Sequence, residues 1–351
     1  MNAERMTPSA IRQARADNPK MRERDLAAQL GISEAEFVAA WVGEGARRLR
    51  VDIASFLTGM EALGEVMALT RNESAVHEKI GVYDKVEIGE HASMALGENI
   101  DLRIFPRVWA HGYAVSKTNE EGVVSRSLQF FDAQGDAVHK VHLRPASNVE
   151  AYEALVEKLI HPEQVQEVQI AAKVTPIAQA KPVIDTEDLR RRWSTMTDVH
   201  QFVTILRELK LTRQEAVKLV GEDFAWPVEL ESVAEMMRTS ASEQIPIMCF
   251  VGSRGCIQIH SGPVTNIKPM GPWLNVMDET FHLHLRIDHI REAWAVRKPG
   301  TDGHVTSVEA YDAEGKLIIQ FFGKRKEGAN ERDDWRNLVE GLPRGPRSTA
   351  A

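Results

Sequence analysis

In the run Thr197-Asp-Val-His-Gln-Phe-Val-Thr-Ile-Leu206, one histidine stands at the head of an amphipathic pattern. Ser194, Thr195, Thr197 and Asp198 supply helix-start chemistry just before it. The spacing places the His200 imidazole in a first helical turn, where it either packs or ligates a metal, and a neutral imidazole against an apolar wall is a common iron ligand. The second position is Arg103, in Leu102-Arg-Ile-Phe105. Strand alternation puts Arg103 and Phe105 on one face. An arginine beside an aromatic ring on a core-forming strand is costly unless something anionic or polar meets it. That partner is a carboxylate such as Asp101 or Glu98, or a ligand. His282 and His284 alternate on one strand face but have no third ligand at metal spacing, so they read as structural.

The elements that position these residues occur twice. Arg103 falls on Arg286 within a shared Leu-Arg-Ile, and Val76-His77 falls on Ile259-His260. Phe131-Asp-Ala-Gln-Gly135 falls on Tyr311-Asp-Ala-Glu-Gly315, and the capping-box segment Ser33 to Glu36 on Thr212 to Glu215. The chain therefore reads as a tandem duplication of a unit of about 170 residues. Each copy opens with short helices, continues into hairpin strands, and closes with a helix near Asn148 to Leu159 or Asn330 to Leu342. The expected organisation is an N-terminal repeat over 1–163, an extended linker over 164–185, a C-terminal repeat over 186–342, and a frayed tail over 343–351. Strands followed by helices point to an α+β fold with large antiparallel sheets. His77 and His260 coincide in the duplication and read as packing residues, and Trp109, Trp273 and Trp294 as core. His200 falls on Met21, so the two copies differ where the imidazole stands.

Composition bounds the partners. The 351 residues are 43% hydrophobic and 27% charged, with a net charge of −8, which argues against a protein that coats nucleic acid. The two cysteines, Cys249 and Cys256, fit reduced thiols, no apolar run reaches membrane-spanning length, and the expected location is the cytoplasm. Arg24 to Ser33 has the outline of a helix-turn-helix. However, residues 1–50 hold nine Lys and Arg against seven Asp and Glu, and the would-be recognition helix Glu34 to Trp41 is acidic, so DNA is not the expected partner.

Met196-Thr-Asp-Val-His-Gln-Phe202, Leu102-Arg-Ile-Phe105 and Gln320-Phe-Phe-Gly-Lys-Arg325 together closely resemble the cytoplasmic haem-trafficking and haem-degrading proteins of Gram-negative bacteria, the HemS/HmuS/ChuS type. The resemblance covers nearly the whole chain. It implies two repeated halves, each a large antiparallel sheet with flanking helices, and one haem b in a cleft between them. It also implies His200 as proximal iron ligand, Arg103 as distal group, and Phe105 and Phe250 against the porphyrin. Arg213, Lys298, Gln320 and Arg325 match positions that hold the propionates or line the pocket. Phe322 stands where family members can carry a tyrosine, so a hydroxyl contact is lost on that edge.

The residues support the same chemistry. Haem needs a neutral imidazole, aromatic walls and a cationic rim, and this chain offers all three. Arginine is a poor iron ligand, so Arg103 is expected to hydrogen-bond a molecule held on the iron. The pseudo-equivalent pair, Met21 with Arg286, lacks the imidazole and is not expected to bind haem in the same way. Two outcomes stay open: a carrier that hands haem on, or oxidative opening of the ring with dioxygen and an external reductant. The sequence shows neither a flavin nor a nicotinamide motif. Expected partners are haem itself and a haem oxygenase, a reductase or an inner-membrane haem transporter.

Overall fold

The structure is a computed structural model that describes residues 6–172, 184–301, 303–325 and 330–346. The first repeat runs α1 Pro8–Asp17, α2 Glu23–Leu30, α3 Glu34–Ala39, β1 Ala46–Leu49, α4 Ile53–Met60, β2 Val66–Arg71, β3 Ala75–Gly81, β4 Val86–Glu87, β5 Ser93–Leu96, β6 Asp101–Ile104, β7 Trp109–Thr118, β8 Val124–Asp132, β9 Ala137–Leu143 and α5 Val149–Leu159. The second runs α6 Thr186–Ser194, α7 Gln201–Leu209, α8 Arg213–Leu219, β10 Ala225–Val228, α9 Ser232–Ser242, β11 Ile247–Gly252, β12 Cys256–Gly262, β13 Ile267–Met270, β14 Trp273–Met277, β15 Phe281–Arg286, β16 Glu292–Gly300, β17 Gly303–Tyr311, β18 Leu317–Gly323 and α10 Asp333–Glu340. The strands form two nine-stranded sheets, ordered β1-β7-β8-β9-β2-β3-β15-β14-β13 and β10-β16-β17-β18-β11-β12-β6-β5-β4.

Local chemistry explains the repeated elements. Ser33 and Thr212 each accept the amide three residues on, and Glu36 and Glu215 accept the capping residue's own amide in return. Asp132 and Asp312 fold the two hairpin turns alike. Each carboxylate accepts the amides two and four residues later, and Gly135 and Gly315 take the positive φ that closes the turn.

Two compact units result, one of residues 1–71, 78–175 and 252–258, the other of 72–77, 176–251 and 259–351. The division falls inside the expected linker, and the two short segments group with the unit opposite to their place in sequence. In the first unit, Phe56, Tyr152 and Val156 from α4 and α5 bury the sheet face carrying Leu128, Phe130 and Val141. In the second, Met236, Met237, Trp335 and Val339 from α9 and α10 bury the face carrying Val308, Ile319 and Phe321. The opposite face of that sheet, with Trp294, Val296 and Tyr311, takes Leu189, Trp193, Phe202, Ile205 and Val217 from α6 to α8.

Three expectations need correction. The described start of the linker is docked on the first unit: Val168 is buried, Gln166 donates to Val42 O (3.0 Å) and Ala171 N–H donates to Ala133 O (2.8 Å). The rest of the linker lies outside the described residues. The tail is anchored through 345, because Gly345 N–H donates to Pro227 O (3.1 Å) and the Arg344 guanidinium lies 4.5 Å from the Trp226 ring centre. Residues 347–351 lie outside the described residues. Trp109 and Trp294 are core, but Trp273 is half-exposed, with the Arg286 guanidinium 5.2 Å from its ring centre.

Candidate functional site

His200 stands at the N-cap of α7 with its side chain 86% exposed, so it is not a core histidine. Asp198 orients it. One carboxylate oxygen accepts the His200 backbone N–H and the ring Nδ1–H, each at 2.7 Å. A carboxylate only accepts, so Nδ1 carries the proton and the lone pair sits on Nε2. The backbone amide of His200, its ring and the charge of Arg325 together hold the Asp198 carboxyl below its usual range. This carboxylate-histidine arrangement is the one that fixes the tautomer and ring plane of metal-binding imidazoles.

The loop that carries the pair is braced. Gln201 Oε1 accepts the amide of Thr197 (2.9 Å), and Thr197 O accepts the amide of Thr301 (3.1 Å) from the turn between β16 and β17. Arg325 follows the end of β18 and is half-buried. Ser307 of β17 pairs with Phe322 of β18, which brings the β18 terminus to the same end of the sheet as that turn.

Pairing register defines one sheet face beside this loop. Lys298 on β16, Ser307, Glu309 and Tyr311 on β17, Gln320 and Phe322 on β18, and Met248 and Phe250 on β11 all project to it. Helices α6 to α8 cover the β16 and β17 side. Phe250 and Phe322 stay half-exposed and meet edge to face, with ring centres 5.0 Å apart.

Arg213, Lys298 and Gln320 were expected to hold the propionates or line the pocket, and in the structure their donors meet Glu309. Glu309, fully buried, accepts Arg213 Nε and Nη2 (2.7 and 2.8 Å), Lys298 Nζ (3.0 Å), Gln320 Nε2 (3.1 Å), Ser307 Oγ (3.1 Å) and Tyr311 Oη (2.6 Å). Burial alone would push the Glu309 carboxyl up. Arg213 and Lys298 outweigh it and hold the group well below its usual range. Lys298 is 3% exposed, and burial brings its ammonium down to about 8 despite Glu309. The Phe202 ring lies beneath both cations, 5.0 Å from the Arg213 guanidinium and 4.9 Å from Lys298 Nζ. A buried carboxylate this well satisfied fixes the sheet face and the start of α8 in place. Among the expected propionate partners, Arg325 is the one outside this network.

In the first unit, Arg103 on β6 is ion-paired with Asp101 and also donates to Leu102 O (3.2 Å), so the carboxylate reading of this residue holds. Burial raises the Asp101 carboxyl, and Arg103 opposes that rise. The Arg103 side chain keeps 34% exposure. Phe105 lies one residue past the strand with an extended backbone, half-buried, its amide held by Gly255 O (2.9 Å). The duplicate Arg286 also meets a carboxylate, but the one two residues after it, donating through Nε and Nη2 to Asp288 at 2.7 Å each.

Other sequence candidates are structural. His77 and His260 pack on Phe281, the latter stacked at 3.9 Å, and His284 Nδ1 bonds Asn275 Oδ1 (2.6 Å). Cys249 and Cys256 are buried and unpaired with each other, and burial pushes the Cys256 thiol up to about 12. Sequence reasoning missed Glu309. The available signal was a charged residue on an inward-facing strand position where the duplicate carries Gln129.

A duplicated α+β scaffold with a carboxylate-oriented, outward imidazole and a half-exposed aromatic pair on the sheet face defines a class of small-molecule binding protein. The haemin-degrading HemS/ChuX domain family matches this chain twice, at residues 31–159 and 210–342, and the chain belongs to that family. The haemin transport protein HemS of Yersinia enterocolitica is 41% identical over 94% of this chain and 95% of its own. Haem-bound PhuS, a haem-binding protein of Pseudomonas aeruginosa, superposes with a TM-score of 0.93 at 42% identity, covering 97% of this chain and 100% of that one. The haem-degrading enzyme ChuS of Escherichia coli O157:H7 gives 0.87 at 37%, covering 94% and 97%.

Proposed function

We propose that this chain binds haem as cargo in haem uptake and iron acquisition in the cytoplasm, with His200 Nε2 as the proximal iron ligand. The observation that carries the reading is the Asp198–His200 pair, which leaves Nε2 directed away from its only partner among the described residues. Bound haem supplies an iron with exchangeable axial positions. The chain's own residues do the rest. Asp198 keeps the proton on Nδ1 and the ring in one plane, Arg325 supplies the cation for a propionate, and Phe250 and Phe322 offer the apolar wall. Arg213, Lys298 and Gln320 act through Glu309 by keeping that wall rigid. Arg103 is the distal hydrogen-bond donor in this reading, released from Asp101 or shared with it, with Phe105 beside it.

An exposed imidazole, held by Asp198 alone, suits a ligand that must be given up again, which favours the carrier over the ring-opening enzyme. A second protein would then receive the haem: a haem oxygenase, or a transporter on the delivering side. Ring opening is the second reading, favoured by the likeness to ChuS, and it requires a reductase as electron source. Mixing haem-loaded protein with an excess of apomyoglobin separates the two. The carrier reading expects full transfer of intact haem, and expects the Soret band to persist under ascorbate with catalase present. Loss of the Soret band under those conditions, with transfer absent, would overturn it.

A further inference from the structure

The first unit contains a cleft of about 490 Å³ beside β7, floored by Phe37, Val38, Trp41 and Val115 and rimmed by Arg15, Glu23 and Lys117. Its volume is in the range of small-molecule sites. The duplication shows what this space holds when it is filled. Helix caps align Thr7 with Asp185 and the capping boxes align Ser33 with Thr212, so Arg15 falls on Trp193 and Glu23 on Phe202. The pairing of Ala46 with Val115 and of Ala225 with Val296 likewise puts Lys117 on Lys298 and Ser116 on Arg297.

In the second unit those positions form a packed aromatic slab. The Trp193 and Phe202 rings meet at 4.8 Å, Lys298 Nζ lies 5.9 and 4.9 Å from their centres, and Trp193 Nε1 donates to Arg297 O (2.9 Å). In the first unit both rings are absent while the lysine, the valine below it and the strand carbonyl remain. Among the described residues no side chain donates to Ser116 O. The charges at the rim are also unequal. Both Glu23 oxygens accept Lys117 Nζ at 2.6 Å, and Glu44 pairs with Arg12 at 3.1 Å. The bonds of Arg15 go only to the carbonyls of Asn18 (3.2 Å) and Met21 (2.5 Å), so its charge meets no carboxylate among the described residues.

We infer that this cleft is a second ligand site, separate from the His200 site, for a planar bicyclic heteroaromatic carboxylate with a ring N–H, the size of an indole acid. The ring takes the place of Trp193 and Phe202 on the apolar floor, its N–H donates to Ser116 O, Lys117 lies over its face, and its carboxylate meets Arg15.

Indole-3-acetate, neutral indole and tryptamine, titrated into the full chain by calorimetry with ligand-observed NMR as a second readout, test this. One saturable site is expected, with indole-3-acetate bound at least about tenfold more tightly than tryptamine. Arg15→Met should bring indole-3-acetate down to the level of indole. The double change Arg15→Trp with Glu23→Phe, which rebuilds the slab of the second unit, should abolish binding of all three. Val38→Phe fills the cleft from its floor, should also abolish binding, and covers the case in which the double variant misfolds. Absence of saturable binding to the unaltered chain, or undiminished binding by either filled variant, would overturn the proposal. Haem binding at His200 should be unchanged in every variant.

Discussion

Asp198 grips His200 twice, its one carboxylate oxygen accepting both the backbone amide and the Nδ1–H of that histidine at 2.7 Å. As an exposed surface contact this contributes little to stability. Its effect is on direction: the ring cannot present Nδ1 to a ligand, and Nε2 is held outward. Asp198→Asn keeps the shape but weakens the acceptor and permits the flipped tautomer. Haemin affinity should fall about 10- to 100-fold with the fold unchanged, as seen when such supporting groups are removed from metal sites. Soret titration beside a circular-dichroism melt checks both halves of that statement.

Glu309 should behave as a stability residue rather than a ligand residue. Replacing it by Ala leaves Arg213 and Lys298 buried without their counter-charge, which costs about 3–5 kcal/mol. Urea unfolding of the Glu309→Ala and Glu309→Gln variants measures it. A loss below about 1 kcal/mol in the Ala variant would remove the network from the account.

Much of the scaffold was legible in the sequence because it rests on local chemistry. The capping boxes at Ser33 and Thr212, the aspartate turns at Asp132 and Asp312, and the strand periods beside them specify themselves within a few residues. What was not legible depends on distant partners. Alternation places Glu309 on the face of Ser307 and Tyr311, but that Arg213 from α8 reaches it, 96 residues away in sequence, needs the tertiary structure. That Lys298 and Gln320 also donate to Glu309 depends on tertiary pairing in the same way. The segments 72–77 and 252–258, which group with the opposite unit, carry no local signal of doing so. His200 itself was visible as a helix-start residue, and its exposure and the role of Asp198 were not.

The first unit should be acid-sensitive through His139. This ring is fully buried, bonded to Tyr83 Oη (2.6 Å) through Nε2 and to Thr70 Oγ1 (2.8 Å) through Nδ1, and burial brings its pKa down to about 3. The folded state therefore binds its proton less readily than the unfolded chain, whose histidine titrates near 6.5. The stability it permits is complete above pH 6.5 and is lost as the pH falls towards 3, on the order of 4 kcal/mol across that window. In His139→Gln, unfolding free energy followed by urea titration at pH 7 and pH 4 should show a smaller difference between the two than in the unaltered chain. An equal difference would assign the acid sensitivity elsewhere.

The aromatic shelf should matter to haem retention and not to the iron bond. Phe250 and Phe322 project to one face as a half-exposed edge-to-face pair. Phe322→Ala removes one wall, and loss of that apolar contact, about 1.5–3 kcal/mol, corresponds to a roughly 10- to 100-fold faster haem dissociation. Transfer to apomyoglobin followed by stopped flow reports the rate, while an unshifted Soret maximum shows that the axial ligand is retained. A shifted maximum would mean that the shelf also positions His200.

Haemin titration of His200→Ala against the unaltered chain, read by Soret maximum and dissociation constant, tests the central claim most directly. The account predicts a displaced Soret band and a loss of affinity of at least about tenfold, with partial return of the original band on adding imidazole. An identical spectrum and affinity in the variant would contradict it.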